Sequence, residues 1–193
     1  MKKIMFNDKF GLTKAVLDGR KTMTRRIIPE REAKRLDSFY GGDDWYYAVQ
    51  TCIDDSSRFD IGEEVAVAQS YRDVVDADVR GHYIPRWSFI DDHCDEAGWN
   101  NKMFVKAELM PHRIRITNIK VERLQDISEE DCYYEGIRRS ANSFPYYGKH
   151  GFGYRIFSNP KDAFKELIDL VSGSGTWESN PYVFAYTFVG CTK

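Results

Sequence analysis

The chain has no apolar run approaching the roughly 18 residues needed to span a bilayer, and no leader-like segment beyond Ile4-Met5-Phe6. It has no internal repeat and no low-complexity tract. Its four cysteines, Cys52, Cys94, Cys132 and Cys191, are scattered and form no Cys-x-x-Cys pair. With no secretory signal they read as reduced thiols, so a cytoplasmic protein without a membrane partner is expected. Charge of one sign is also lacking: the net charge of −2 argues against wholesale polyanion binding. No double-stranded-DNA-reading motif is present. His82, His93 and Cys94 match no zinc spacing, and no metal or cofactor is expected.

What is present fits a folded α+β chain. Its 193 residues, 42% hydrophobic and 15% aromatic, are enough for one domain with a proper core. A single domain over 1–193 is expected, with polar insertions at 36–60, 72–102 and 138–157, where no periodicity is visible.

Ile4-Met5-Phe6 reads as a short strand. Asn7 or Asp8 is placed to cap a helix running to Asp18, which Gly19 stops. Strands are expected over 21–28, 64–71, 103–108 and 181–189. Ile114 and Ile116, then Ile119 and Val121, alternate in two phases, which predicts one long strand with a bulge near Asn118. Ser128-Glu129-Glu130-Asp131 has an N-cap pattern, predicting a helix to Glu135. Asn159-Pro160 opens another, with Ala163, Phe164, Leu167, Ile168 and Val171 as its apolar stripe and Gly173 as its end. About six strands and three short helices, not strictly alternating, favour a small mixed barrel over a doubly wound sheet.

Residues 17–28, Leu-Asp-Gly-Arg-Lys-Thr-Met-Thr-Arg-Arg-Ile-Ile, carry the chemistry. Between Arg20 and Arg35 seven Lys/Arg stand against two Glu. Such a density of donors suits a site for an anionic or carbonyl-rich ligand. A threonine hydroxyl becomes a nucleophile when a neighbour takes its proton, and a lysine among like charges is disposed to do so. In a straight strand Lys21 and Thr24 would face opposite sides about 10 Å apart. A working pair therefore needs a bend, which Gly19 can provide. Arg25 and Arg26 point to opposite faces if extended, so one is expected to pair with a structural carboxylate and the other, Arg26, to face the ligand. Glu135, at the end of its helix, faces the negative end of the dipole and is disposed to hand on a proton. Trp177 and Tyr182 are candidates for rim aromatics that stack a base, and core packing is the alternative. Trp45, Tyr46 and Tyr47 would form a lid or simply cover the barrel.

Gly19-Arg20-Lys21-Thr22-Met23-Thr24-Arg25-Arg26 resembles the Gly-x-Lys-Thr-x-Thr-x-Arg signature of ASCH-domain proteins. Gly62–Val67, Met110-Pro111-His112-Arg113 with Ile114-Arg115-Ile116, and Ser174–Val183 resemble further segments of that family, the last two of its phage-type subgroup. The resemblance covers roughly residues 4–28, 61–71, 103–137 and 164–189. It implies a PUA-like β-barrel. In the amidohydrolase members, which deacetylate N(4)-acetylcytidine, it implies Lys21 as base, Thr24 as nucleophile and Glu135 as proton donor. Arg20, Thr22, Arg25, Arg26, Trp177 and Tyr182 would then bind the ligand, a nucleoside or RNA. Two other readings use the same chain: a non-catalytic RNA or modified-base reader, and a barrel that serves only protein contacts.

Overall fold

The computed structural model describes residues 1–78, 86–139, 145–147 and 155–192. Its strands are β1 (Lys3–Ile4), β2 (Met23–Ile27), β3 (Glu64–Val67), β4 (His112–Arg123), β5 (Arg138–Arg139), β6 (Pro145–Tyr147), β7 (Arg155–Ile156) and β8 (Tyr182–Thr192). Its helices are α1 (Leu12–Leu17), α2 (Glu30–Phe39), α3 (Trp45–Ser56), α4 (Tyr71–Asp78), α5 (Arg86–His93), α6 (Glu129–Tyr134), α7 (Pro160–Ser172) and α8 (Thr176–Ser179).

Five strands form one mixed sheet in the order β1-β3-β4-β8-β2, with β1 parallel to β3 and the other neighbours antiparallel. Strands β5, β6 and β7 make a separate antiparallel sheet. The architecture is α+β. No ladder joins the edges β1 and β2 among the described residues, so the main sheet is open rather than a hydrogen-bonded barrel. It is nevertheless strongly curled. Four strand spacings would hold the edges of a flat sheet roughly 19 Å apart, beyond the reach of one side chain. Yet Arg26 on β2 donates from Nη2 to the carbonyl of Met5, the residue after β1, at 2.7 Å.

The longest strand, β4, organises the core. Its register on β8 shifts between Ile116 and Asn118, so Ile114 and Ile116 before the bulge, and Ile119 and Val121 after it, all remain buried. They pack with Phe184, Tyr186 and Phe188 of β8 and with Leu12, Leu36, Phe164 and Leu167 from the helices. Strand β3 is covered on both faces: Val65 and Val67 join that core, while Ala66 joins a smaller cluster with Tyr71, Val105 and Met110.

The caps at Ser128 and Asn159 form as their sequences imply. Ser128 Oγ accepts from the Asp131 amide at 3.0 Å, and Asn159 Oδ1 accepts from the Asp162 amide at 2.8 Å.

Two expectations are corrected. Helix α1 begins only after Gly11, because Asp8 takes the Thr13 hydroxyl (2.5 Å) and holds residues 8–11 as a turn. Residues 103–108 are not a strand. Two short 3-10 helices, Lys102–Phe104 and Ala107–Leu109, lie there, and the Lys3 ammonium takes the carbonyls of Met103 (2.7 Å) and Val105 (2.6 Å) that a ladder would need. Segment 36–60 holds the end of α2 and the whole of α3, and 72–102 holds most of α4 and all of α5, so both are largely helical among the described residues. No described helix is long and apolar enough to cross a membrane.

Candidate active site

The local fold satisfies the bend that the Lys21–Thr24 spacing demands. After Gly19, at φ +71°, the amides of Arg20 and Lys21 both donate to the Ala15 carbonyl at 2.9 Å. Lys21 is therefore wrapped around the end of α1 and precedes β2, where Thr24 sits. The Thr22 amide then donates to the Tyr134 carbonyl (3.0 Å), tying this segment to the end of α6.

Lys21, Thr24 and Glu135 border one cavity of about 220 Å³, together with Arg25 and Arg26. The Lys21 ammonium, 2% exposed, donates to Glu135 Oε2 at 2.6 Å and to the Glu135 carbonyl at 2.7 Å. Burial drives the lysine pKa below its ordinary value, and the adjacent Glu135 carboxylate opposes part of that shift. Glu135 caps α6 at its C-terminus, followed by Gly136 at φ +112°. Thr24 is a buried residue of the cavity wall, and its hydroxyl makes no hydrogen bond to another described residue, Lys21 and Glu135 included.

The two neighbouring arginines divide as their alternation implies. Arg25 is internal and paired with Glu122, Asp131 and Glu135. Burial works against its charge, but the carboxylates outweigh it and hold its pKa above the ordinary value. Arg26 lies on the opposite face, over the Phe6 ring at 5.8 Å, and borders the cavity.

Four expected ligand-binding residues lie elsewhere. Arg20 pairs with Asp18 (3.3 Å) and does not line the cavity. Thr22 is held by its backbone, its carbonyl accepting from the Phe188 amide at 2.9 Å. Trp177, partly buried, packs edge-on against Phe164 at 6.2 Å and so against the core. Tyr182, 1% exposed, lies under the Arg123 guanidinium (3.7 Å) and against Trp45 (6.0 Å). Tyr182 is thus a core residue, and Trp177 is a partly buried one packed against the same core.

His82 lies outside the described residues. His93 stacks with Tyr71 and Phe89 and sits 3.2 Å from Glu96. No group of three or more His, Cys, Asp or Glu among the described residues is arranged to hold a metal ion.

Sequence reasoning missed the apolar half of the cavity. Phe6, Leu12, Phe164, Leu167, Ile168 and Val171 supply it. The signal was the α7 stripe, which reads as core and in fact serves core and cavity together. Glu122 and Asp131 were also missed, since an acid on a strand or in a first turn is ordinarily solvated.

Comparison of the chain with models of protein families, with curated proteins and with solved structures gave no match.

Proposed function

We propose that the chain is an amidohydrolase that removes an acyl group from a modified nucleoside such as N(4)-acetylcytidine, on a PUA-like barrel of the ASCH type. One observation carries the reading: a threonine hydroxyl that no other described residue engages shares a cavity with a buried lysine–glutamate pair. The curled sheet, with its edges bridged by Arg26, supports the barrel assignment.

In a low-dielectric site, moving the proton from the Lys21 ammonium to Glu135 removes two buried charges and leaves a neutral amine. That amine takes the Thr24 proton through one water, since the two groups are not directly bonded. Thr24 Oγ then bonds to the acyl carbon, and Arg26 stabilises the oxyanion that develops. The C–N bond breaks as Glu135 returns its proton to the leaving amine. Water attacks the acyl-threonine ester, giving up a proton as the threonine oxygen regains one, and the carboxylic acid leaves. A cavity of about 220 Å³ is smaller than the roughly 300–1,000 Å³ of drug-sized sites, so it takes the acylated base and leaves the sugar at the mouth.

The RNA-reader alternative needs an open cationic face. Within the basic run Arg25 is internal, Lys34 pairs with Glu30, Arg35 with Glu32, and Arg20 with Asp18. This favours the hydrolase.

The test is the mass change of a panel of acylated nucleosides incubated with the wild type and with Thr24→Val, which keeps shape and removes the oxygen. Turnover should vanish in the variant, whereas a mere binding role would cost only about 0.5–1.5 kcal/mol of affinity. Turnover that survives Thr24→Val rules out the threonine nucleophile, and an inactive wild type rules out the hydrolase.

A further inference from the structure

Arg25 occupies one of the variable places in the signature-like run, and the acyl-transfer steps above make no use of it. Its side chain is 1% exposed, and three carboxylates from two elements grip its guanidinium. Nε and Nη2 both reach Glu122 Oε1 on β4, at 2.9 and 2.7 Å. Nη2 donates to Asp131 Oδ2 in the first turn of α6 at 2.8 Å, and Nη1 donates to Glu135 Oε1 at the end of α6 at 3.1 Å. The reach to β4 depends on a small residue. Arg25 pairs with Ala185 and Ala185 with Lys120, so all three share one sheet face with Glu122, two residues further on. A larger side chain at 185 would fill that passage.

The three carboxylates are not Arg25's alone, since Glu135 also pairs with Lys21 and Glu122 with Lys120. Their placement gives the arrangement its meaning. A helix of six residues such as α6 has little stability of its own. Here both its first turn and its C-terminal cap are bonded to one planar, five-donor group. The two oxygens of Glu135 are thereby divided, Oε1 to Arg25 and Oε2 to Lys21.

We propose that Arg25 is a positioning residue of this site, orienting the Glu135 carboxylate so that a single oxygen is presented to Lys21. The proposal rests on the reading of Lys21 and Glu135 as the proton-transferring pair. The groups facing Lys21 are Glu135, Arg25 and Arg26; those around Arg25 are Glu122, Asp131 and Glu135, with Lys120 behind Glu122 and Cys132 alongside on α6. Of these, Arg25 and Arg26 work with burial against the lysine charge. Removing Arg25 therefore raises the pH at which Lys21 gives up its proton.

The experiment compares wild type with Arg25→Met, with Arg25→Met/Glu122→Met, which removes a cation and an anion together, and with Arg25→Lys, which keeps charge without the fork. Two readouts are taken: kcat and KM for N(4)-acetylcytidine across pH, and the NMR titration of Lys21 in lysine-labelled protein, assigned with Lys21→Met. In the folded double variant KM should hold, kcat should fall roughly tenfold to a hundredfold, and Lys21 should titrate at higher pH. Arg25→Lys should keep the lysine titration near wild type without restoring kcat. A folded double variant with wild-type kcat overturns the proposal and leaves Arg25 a counter-ion, whichever way Lys21 titrates. Should neither Met variant melt cooperatively, wild-type kcat in Arg25→Lys overturns it equally. An inactive wild type would sink the hydrolase reading and the proposal with it, whereas an active wild type beside a double variant of equal kcat sinks the proposal alone.

Discussion

Lys21 grips Glu135 twice, through the carboxylate Oε2 at 2.6 Å and through the backbone carbonyl of the same residue at 2.7 Å. The double contact fixes the ammonium relative to the helix end as well as to the acid. Lys21→Met keeps the stem and removes both bonds. It should abolish turnover and, by leaving a buried carboxylate short of a partner, cost about 3–5 kcal/mol in a denaturant titration. Deacylation that persists in a folded Lys21→Met protein would exclude lysine as the base.

Gly136 stands behind this pair. At φ +112° it adopts a conformation that L side chains avoid, and a Cβ there would lie 3.1 Å from Leu12 Cδ2 and 3.6 Å from Lys21 Cδ. Gly41, at φ +75°, has nothing within 4 Å. Gly41→Ala should cost about 1–2 kcal/mol from the backbone alone and leave activity untouched. Gly136→Ala should melt lower than Gly41→Ala and lose activity through displacement of Lys21. Equal melting temperatures with equal activity would show that Leu12 and Lys21 yield without consequence.

Two thiols set an alkaline limit. Burial pushes Cys52 up to about 11 and Cys132 up to about 12, from an ordinary value near 9. Between pH 9 and those values an unfolded chain loses thiol protons that the folded one keeps, so the unfolded state binds fewer protons and stability falls with rising pH. The contribution is fully present below pH 9. Urea midpoints measured from pH 8 to 11 should decline, and a Cys52→Ala/Cys132→Ala protein should decline less steeply. At pH 8 an alkylating reagent should label exposed Cys94 in the native protein before either buried thiol.

Ser128 holds the first turn of α6, whose far end carries Glu135. Ser128→Ala should cost about 1 kcal/mol, read as a lower melting temperature. Because Arg25 pins the same helix at both ends, activity should fall less than tenfold. A larger loss would show that the cap, rather than the guanidinium, sets the acid's position.

Caps and alternation were the legible parts of the fold. Ser128, Asn159 and the two-phase run around Asn118 declare themselves through local chemistry, and tertiary packing has no reason to override them. Helix α3 was legible in principle. Trp45, Ala48, Val49, Cys52 and Ile53 recur at helical spacing and face the core, but the exposed Tyr46 and Tyr47 break the pattern to the eye. Residues 103–108 were not legible, because what decides them is a lysine a hundred positions away that takes their carbonyls. At the site, the sequence pointed to Lys21, Thr24, Arg26 and Glu135, which the fold brings to one cavity. It could not reveal that Trp177 and Tyr182 turn inward, nor which acids would surround Arg25, since both follow from how strands distant in the chain are ordered in the sheet.

The cavity draws on residues 5–12, 21–27, 135 and 164–172, stretches that meet only when the sheet has curled and α6 and α7 have docked on it. Lys21 is therefore a built-in witness of assembly. Local fraying of a loop or terminus does not uncover an amine in a cavity walled by four parts of the chain. Its rate of modification by an amine reagent should follow the cooperative opening of the whole molecule, a slow clock set beside the fast labelling of the surface lysines.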